Sequence, residues 1–328
     1  MRKNPDELKK LWENDRLYKF FRPYVDWTTR MSFRHIRTEG LENIPDDVPV
    51  LYAPNHCCTL MDAVVVLQAH RDGTAFGARA DIFRKPLAYK VLHWLKIVPL
   101  ARQRDGMSEV AKNFMIFDEI ADCVDHGMPF CMFVEGTHTP KRGLRPIRKG
   151  IFRICDTIIE NTGKEPVIVP VGIAYESFFD YMKNVDIRFG KPIRLSEHEG
   201  EDPSALLYGR MLDLLGNYPD HKDLPLAVAV PLAVLSIPVF VLSAILCWPL
   251  LVIAAILVGK LKDKAWSNTI RFASKLGVLP LYAILCAIPM FIFLPWWAAV
   301  ISLVALVYSH SVFYLLLNFY RNIISRLK

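Results

Sequence analysis

The sequence predicts an α/β protein with a mixed, largely parallel sheet flanked by helices, an N-terminal interfacial helical segment and a C-terminal α-helical transmembrane region. Three observations lead to this prediction. Short apolar segments alternate with amphipathic ones between residues 48 and 189, aromatic and basic residues mix near the N-terminus, and two long uncharged runs follow residue 224. Strands that alternate with helices build a sheet that is covered on both faces.

The composition points to a membrane surface rather than to nucleic acid. The chain has 328 residues, of which 52% are hydrophobic, and a net charge of +7. A basic protein with a long apolar end suits an anionic membrane, and the sequence lacks the basic helix or aromatic-basic repeat that would favour nucleic acid. Seven cysteines without a C-x-x-C pair are typical of reduced thiols in a cytoplasm-facing protein.

Residues 1–37 form the predicted interfacial segment. Within it, Arg16–Ile36 mixes aromatic side chains with Arg and Lys, and Pro23 should kink or restart the helix. This composition fits a helix in the headgroup layer with its basic groups on phosphates. A helix packed on the core of its own domain is the alternative, since an amphipathic pattern suits both.

The middle of the chain supplies the predicted sheet. We expect strands at Val48–Ala53, Thr74–Arg79, Ile97–Ala101, Phe130–Val134, Val167–Ile173 and Val185–Phe189. We expect helices at Asp62–Ala69, Pro86–Leu95, Ser108–Cys123, Lys149–Glu160 and Ser204–Leu215. Ligands in such sheets bind outside the carboxyl ends of the strands, where we expect His56, Arg102 and Glu135.

Residues 224–319 form the predicted transmembrane region, whose two uncharged runs are separated by the basic segment at 260–275. One crossing needs roughly 20 apolar residues. Lys222, the basic segment and the C-terminal tail should all remain cytoplasmic by the positive-inside tendency. We therefore expect two hairpins and four crossings. A single crossing in the first run is the alternative, and it would place a basic segment outside.

A histidine and an aspartate lie on the predicted connection between the first strand and its helix. The connection reads Asn55-His56-Cys57-Cys58-Thr59-Leu60-Met61-Asp62. Loops at the end of a sheet hold side chains toward a substrate. We predict that His56 is a general base and that Asp62 orients it, against the alternative of an ordinary loop histidine.

A basic loop follows the predicted strand Phe130–Val134. It begins Glu135-Gly136-Thr137-His138 and continues with Lys141, Arg142, Arg145, Arg148 and Lys149. Glycine in a turn lets backbone N–H groups approach an oxyanion, and the cations add charge for a phosphate. Arg102 and Arg104 end another strand and could bind phosphate through two hydrogen bonds. A solvated loop facing headgroups is the alternative.

Four short sequence blocks follow one another along the chain. They are Asn55-His56 with Asp62, Ile97–Arg102, Phe133–Thr137 and Val169–Val171. Together they resemble the glycerophospholipid acyltransferase family, whose best-known members are the 1-acylglycerol-3-phosphate O-acyltransferases. The resemblance covers about Arg16–Ser196 and implies an acyltransferase domain at residues 38–216.

The resemblance implies a reaction and a set of site residues. A fatty acyl group would move from acyl-CoA or acyl-carrier protein, as donor substrate, to a hydroxyl of a lysophospholipid such as 1-acylglycerol 3-phosphate. The catalytic pair would be His56 and Asp62. The implied substrate-binding residues are Asn55, Arg102, Arg104, Glu135, Gly136, Thr137 and Lys149. No bound cofactor and no metal are expected. The catalytic domain would lie on the cytoplasmic face of the membrane. The enzyme would act in phospholipid biosynthesis.

The chain departs from the family pattern at two places. Five residues separate His56 from Asp62, where the family usually has four, and His138 stands where the family usually has arginine. On a continuous helix, positions six apart point about 240° apart. We therefore expect a non-helical turn at Cys57–Thr59 that brings the pair together.

Three alternatives remain open at the level of the sequence. The acceptor could be glycerol 3-phosphate or an amino-acid-containing lysolipid. Cys57 or Cys58 could act with His56 as a nucleophile. The protein could also be a non-catalytic membrane protein that binds lipid headgroups.

Overall fold

The computed structural model describes residues 9–13, 15–68, 73–102, 106, 108, 111, 113–219 and 223–328. Strands in this part of the chain are β1 (Ile36–Glu39), β2 (Val50–Pro54), β3 (Ala75–Arg79), β4 (Ile97–Leu100), β5 (Phe130–Cys131), β6 (Val167–Tyr175) and β7 (Val185–Phe189). Its α-helices are α1 (Arg16–Arg30), α2 (Leu60–Leu67), α3 (Pro86–Trp94), α4 (Asn113–Asp125), α5 (Gly150–Thr162), α6 (Pro203–Leu214), α7 (Leu226–Leu246), α8 (Trp248–Gly259), α9 (Ser267–Phe293) and α10 (Trp296–Leu327).

The strands form one sheet in the order β1-β7-β6-β2-β5-β3-β4. Neighbours are parallel except β6 and β7, which are antiparallel. The predicted class, a mixed and largely parallel sheet flanked by helices, is confirmed. Strand β1 was not predicted, because its four residues Ile-Arg-Thr-Glu carry a single apolar side chain and are only partly buried. Strand β5 is shorter than predicted, because a turn closed by the Gly136 N–H on the Phe133 carbonyl follows it.

Strands β2 and β6 form the centre of the domain. All five residues of β2 and all nine of β6 are buried, as continuous apolar strands in a covered sheet are. Helices α4, α5 and α6 pack on one face, where Phe117, Ile151 and Met211 share a cluster. Helix α2 covers the other face, and Phe272 of α9 joins it there. The sheet therefore lies between two helical layers, one of which continues into the C-terminal helices.

Three helices in the described part of the chain are long and apolar enough to cross a membrane: α7, α9 with the preceding turn, and α10. Helix α8 has 12 residues, about 18 Å at the usual helical rise, against a hydrocarbon core of about 30 Å. The first uncharged run is divided because Cys247 ends α7 and Pro249 lies in the first turn of α8, a position that starts a new helix. Four crossings therefore remain a prediction, with α8 as the short arm.

Helix α1 has one packed face and one open face. Tyr18 and Arg22 are buried, whereas Leu17, Phe20 and Phe21 are exposed. The Tyr24 hydroxyl donates to the Leu276 carbonyl of α9 at 2.8 Å. Each of the two sequence interpretations thus describes one face of this helix. The place of the helix in the headgroup layer stays a prediction, and residues 1–8 and 14 lie outside the described residues.

Candidate active site

The connection between β2 and α2 is fastened to the neighbouring strand by Asn55. Its side-chain amide donates to the Ile173 carbonyl at 3.0 Å, and its Oδ1 accepts the Ile173 N–H at 2.7 Å. The pair fixes the chain next to His56 against β6. Asn55 also lines the pocket described below, so its predicted contact with substrate remains open to test.

The predicted contact between His56 and Asp62 is present. His56 Nδ1 lies 2.7 Å from Asp62 Oδ2. The same oxygen accepts the N–H groups of Cys57 and Cys58, each at 2.8 Å, and Oδ1 accepts the Tyr175 hydroxyl at 2.8 Å. Asp62 is 0% exposed, so the protein itself supplies the hydrogen bonds that an ionised carboxylate requires. A carboxylate on Nδ1 favours the tautomer with Nδ1–H and leaves Nε2 to accept a proton.

The extra residue between His56 and Asp62 is taken up by a tight turn. The Met61 N–H donates to the Cys58 carbonyl at 3.0 Å, and Thr59 has φ 51° and ψ −123°. These angles match the first central position of a type II′ turn, which glycine favours. The expected non-helical turn is therefore present. Holding a threonine there costs on the order of 1–3 kcal/mol, which the surroundings of the turn must offset.

A cavity of about 290 Å³ opens beside His56. Its lining residues are Asn55, His56, Cys57, Glu135, Thr139, Lys141, Arg142, Gly143, Leu144 and Arg145. The imidazole stacks on the Phe133 ring with centroids 4.1 Å apart, and its side chain stays 17% exposed. The cavity thus brings an oriented imidazole together with three cations, a combination that suits an anionic substrate.

Glu135 supports the backbone of His56. Its Oε1 accepts the His56 N–H at 3.0 Å. Burial raises the pKa of the Glu135 carboxyl above its usual value, while the His56 N–H acts in the opposite direction. Gly136 follows with φ +73°, a left-handed conformation that glycine adopts without strain. Both residues therefore shape the turn that carries the third sequence block.

The remaining predicted residues lie at different distances from this cavity. Thr137 accepts a hydrogen bond from Arg145 at 2.6 Å, which links it to the cationic lining. Arg102 follows β4, the edge strand, three strands or about 14 Å from β2 at the usual strand spacing. Lys149 is exposed at the start of α5. Neither of these two is among the lining residues, and Arg104 lies outside the described residues.

Sequence reasoning missed two partners of the site. Tyr175, at the end of the buried strand β6, donates to Asp62; a hydroxyl at the carboxyl end of an otherwise apolar strand was the available signal. Asp263, the single acidic residue of the basic segment at 260–275, has its Oδ2 2.7 Å from His138 Nε2. This hydrogen bond lowers the pKa of Asp263. The ring of His138 lies 5.6 Å from that of His56.

The two cysteines beside His56 are poorly placed to act as nucleophiles. Both are buried. A hydrogen bond with Cys58 and the burial of the side chain raise the pKa of the Cys57 thiol well above its usual value. Reactive cysteines need a lowered pKa and access to solvent. Within the described ranges, no group of three or more His, Cys, Asp or Glu residues could hold a metal ion.

Replacing Glu135 by glutamine should change how stability depends on pH. The usual pKa of a glutamate carboxyl is 4.5, and the pKa of Glu135 in the folded protein is higher. Above pH 4.5 the folded protein therefore holds this proton more tightly than the unfolded chain does. The contribution of Glu135 to the free energy of unfolding should therefore fall as pH rises above 4.5. We expect the melting temperature of Glu135→Gln, relative to that of the wild type, to rise as pH increases above 4.5 in thermal unfolding scans.

Glu165→Gln is the control for the opposite sign. Burial acts to raise the pKa of Glu165, but hydrogen bonds from Ser196 lower it. The melting temperature of Glu165→Gln, relative to that of the wild type, should therefore fall as pH rises. A melting temperature that depends on pH in the same way for the wild type and for Glu135→Gln would contradict the raised pKa of Glu135.

The segment that carries the site matches a known protein family. Residues 35–174 match the family model described as Acyltransferase, and this segment contains the His56–Asp62 pair and the Glu135 turn. The match supports the predicted acyltransferase class for this segment, and the glycerolipid type of the substrate stays a prediction.

A solved structure provides a further comparison. The chain is similar to the crystal structure of the 1-acyl-sn-glycerophosphate (LPA) acyltransferase PlsC from Thermotoga maritima. The two share 17% sequence identity with a TM-score of 0.41, over 62% of this chain and 82% of that chain. No curated protein matches the chain.

Proposed function

We propose that the protein is a membrane-bound acyltransferase that moves a fatty acyl group from acyl-CoA or acyl-carrier protein to a hydroxyl of a lysophospholipid such as 1-acylglycerol 3-phosphate. One observation carries the proposal. Within an acyltransferase domain, His56 is oriented by the buried Asp62 and opens onto a cavity with three cations.

The reaction follows from the orientation of the imidazole. His56 Nε2 removes the proton of the acceptor hydroxyl as its oxygen attacks the carbonyl carbon of the acyl thioester. The tetrahedral intermediate then collapses, the carbon–sulfur bond breaks, and the imidazolium returns the proton to the leaving sulfur. Asp62 holds the tautomer and stabilises the imidazolium. The acyl group passes directly between substrates, without an acyl-enzyme.

The cations of the cavity would bind the phosphate of the acceptor. Arg145 is held in place by the hydroxyls of Thr137 and Thr139 at 2.6 and 2.5 Å. The Arg142 guanidinium lies over the Tyr218 ring, 4.6 Å from its centroid. Cations that are already positioned lose less conformational entropy when they bind a ligand. This arrangement supports an acceptor that carries a phosphate.

The apolar helices would bring the active site to its lipid substrate. Helices α7, α9 and α10 have the length and composition of membrane spans, and α1 exposes aromatic side chains beside them. A lysolipid could then reach His56 from the bilayer. The basic segment at 260–275 favours a catalytic domain on the cytoplasmic face.

Removing charge from the cavity should weaken acceptor binding selectively. We expect the double variant Lys141→Gln, Arg142→Gln to raise KM for 1-acylglycerol 3-phosphate by about 100-fold or more, because hydrogen bonds to charged groups contribute about 1.5–3 kcal/mol each. Steady-state kinetics should show kcat and the donor KM within about threefold of wild type. Arg153→Gln, an exposed cation on α5, is the matched control. An equal rise in both KM values would contradict the assignment.

The acceptor is tested with the purified protein in lipid nanodiscs. Labelled acyl-CoA and acyl-carrier protein are each supplied with 1-acylglycerol 3-phosphate, glycerol 3-phosphate or an amino-acid-containing lysolipid. Transfer to 1-acylglycerol 3-phosphate supports the proposal. Preferential transfer to one of the other two selects that acceptor instead. Binding of lysolipid without turnover on any acceptor would overturn it in favour of a headgroup-binding protein.

A further inference from the structure

The first turn of α9 touches the tight turn between His56 and Asp62. Thr269 Oγ1 lies 2.6 Å from Thr59 Oγ1, and both residues are 4% exposed. Thr59 is the residue with positive φ that takes up the extra position. A helix of the C-terminal region therefore forms a buried hydrogen bond with the strained residue of the active site.

The same turn of α9 also holds the segment 178–180, which lies just beyond β6. The Asn268 amide donates to the carbonyls of Phe178 and Asp180 at 3.0 and 3.3 Å. Arg271 donates to the Phe179 carbonyl at 2.8 Å. This segment begins three residues after Tyr175, whose hydroxyl donates to Asp62. Helix α9 thus contacts the turn that precedes Asp62 and the segment that follows its hydrogen-bond partner Tyr175.

Helix α9 is fastened to the domain one turn further along. Lys275 is fully buried, and its ammonium donates to the Met31 carbonyl at 2.7 Å and to Ser311 of α10 at 2.8 Å. These bonds connect α9, α10 and the end of α1. The hydrogen bond to Thr59 therefore comes from a firmly docked helix.

We infer that Thr269 is a positioning residue, and that docking of α9 holds Thr59 in the conformation that brings Asp62 to His56. The inference rests on the proposed function of that pair. A threonine at this position of a type II′ turn is unfavourable by itself, and the buried hydroxyl contact favours the strained state. The C-terminal helices therefore complete the active site in addition to anchoring it. If α9 separates from the domain, Thr59 relaxes and Asp62 no longer orients the imidazole.

The test uses the full-length protein in nanodiscs and the acyl-transfer assay. We expect Thr269→Val to lower kcat by about tenfold, about 1.4 kcal/mol in the barrier, with the acceptor KM within twofold. Thr269→Ser keeps the hydroxyl and should restore kcat. Glycine adopts positive φ without strain. In the Thr59→Gly background, Thr269→Val should therefore change kcat by less than about twofold.

Thr29→Val is the matched control. Thr29 is also buried, but its hydroxyl donates to the Val25 carbonyl within its own helix, α1. This variant should keep kcat within about twofold of wild type. Should Thr269→Val unfold in a thermal scan, Asn268→Ala replaces it, with a fall in kcat and an unchanged acceptor KM as the expected result.

Two outcomes would overturn the inference. One is full activity of Thr269→Val, or of its replacement Asn268→Ala. The other is an equal loss from Thr269→Val with and without Thr59→Gly. Failure of the proposed function looks different, because the wild type would then transfer no acyl group, or His56→Ala would remain active. An inactive His56→Ala with an active Thr269→Val rejects the positioning role alone.

Discussion

Replacing His56 by alanine is expected to lower kcat by about 10²–10⁴-fold, the usual contribution of a general base. The imidazole is 2.7 Å from Asp62 and borders the cationic cavity, so its Nε2 is placed to remove the proton of an acceptor bound there. Lysolipid binding should persist, because the cations of the cavity are unchanged. The measurement is acyl transfer under saturating substrates, together with lysolipid binding to the variant.

His198→Ala is the control for this result. His198 lies in the turn Leu195–His198 and contacts Glu201 at 3.0 Å, outside the cavity lining. Its kcat should stay within about twofold of wild type. Retention of more than a tenth of the wild-type kcat in His56→Ala would show that another group removes the proton.

Replacing Asp62 by asparagine is expected to lower kcat by about 10²–10³-fold, as the loss of one preorganised electrostatic group does. The N–H groups of Cys57 and Cys58 both donate to the oxygen that faces His56. These donors should keep the asparagine oxygen in the same place, so the tautomer of His56 survives. The loss then reflects the missing negative charge opposite the imidazolium, and it is smaller than the roughly 10⁴-fold loss that a wrong tautomer causes.

Asp186→Asn provides a buried control for the Asp62 variant. Asp186 is also buried, and it pairs with Arg188 at 2.6 Å on β7. Its replacement should reduce thermal stability without changing kcat by more than about twofold. A larger kcat loss in Asp186→Asn than in Asp62→Asn would remove Asp62 from the proposed mechanism.

The sequence predicts those parts of the fold that depend on local pattern. Strands β2 and β6 are continuous apolar runs, and they occupy the covered centre of the sheet. Strand β1 has no such pattern, since its place is decided by pairing with the distant strand β7. The break between α7 and α8 depends on Cys247 and Pro249, within a run whose composition does not change.

The site is predictable where its residues are neighbours in the chain. His56 and Asp62 flank one turn, so their contact follows from the requirement that the turn be non-helical. The contacts of Tyr175 and Thr269 depend on long-range packing of β6 and α9, which no local pattern records. The order of the four sequence blocks along the chain likewise does not predict where their residues lie around the cavity beside His56. Arg102, for example, follows the edge strand β4, which is not a neighbour of β2.

Direct transfer by His56 is tested by incubating the purified protein with labelled acyl donor before any acceptor is added. Intact-mass analysis and chromatography then follow the label on the protein and on the lipid. The mechanism predicts an unlabelled protein, and labelled product only after lysolipid is added. An acyl-protein on Cys57 or Cys58 that forms without acceptor and passes its label to lysolipid would contradict it.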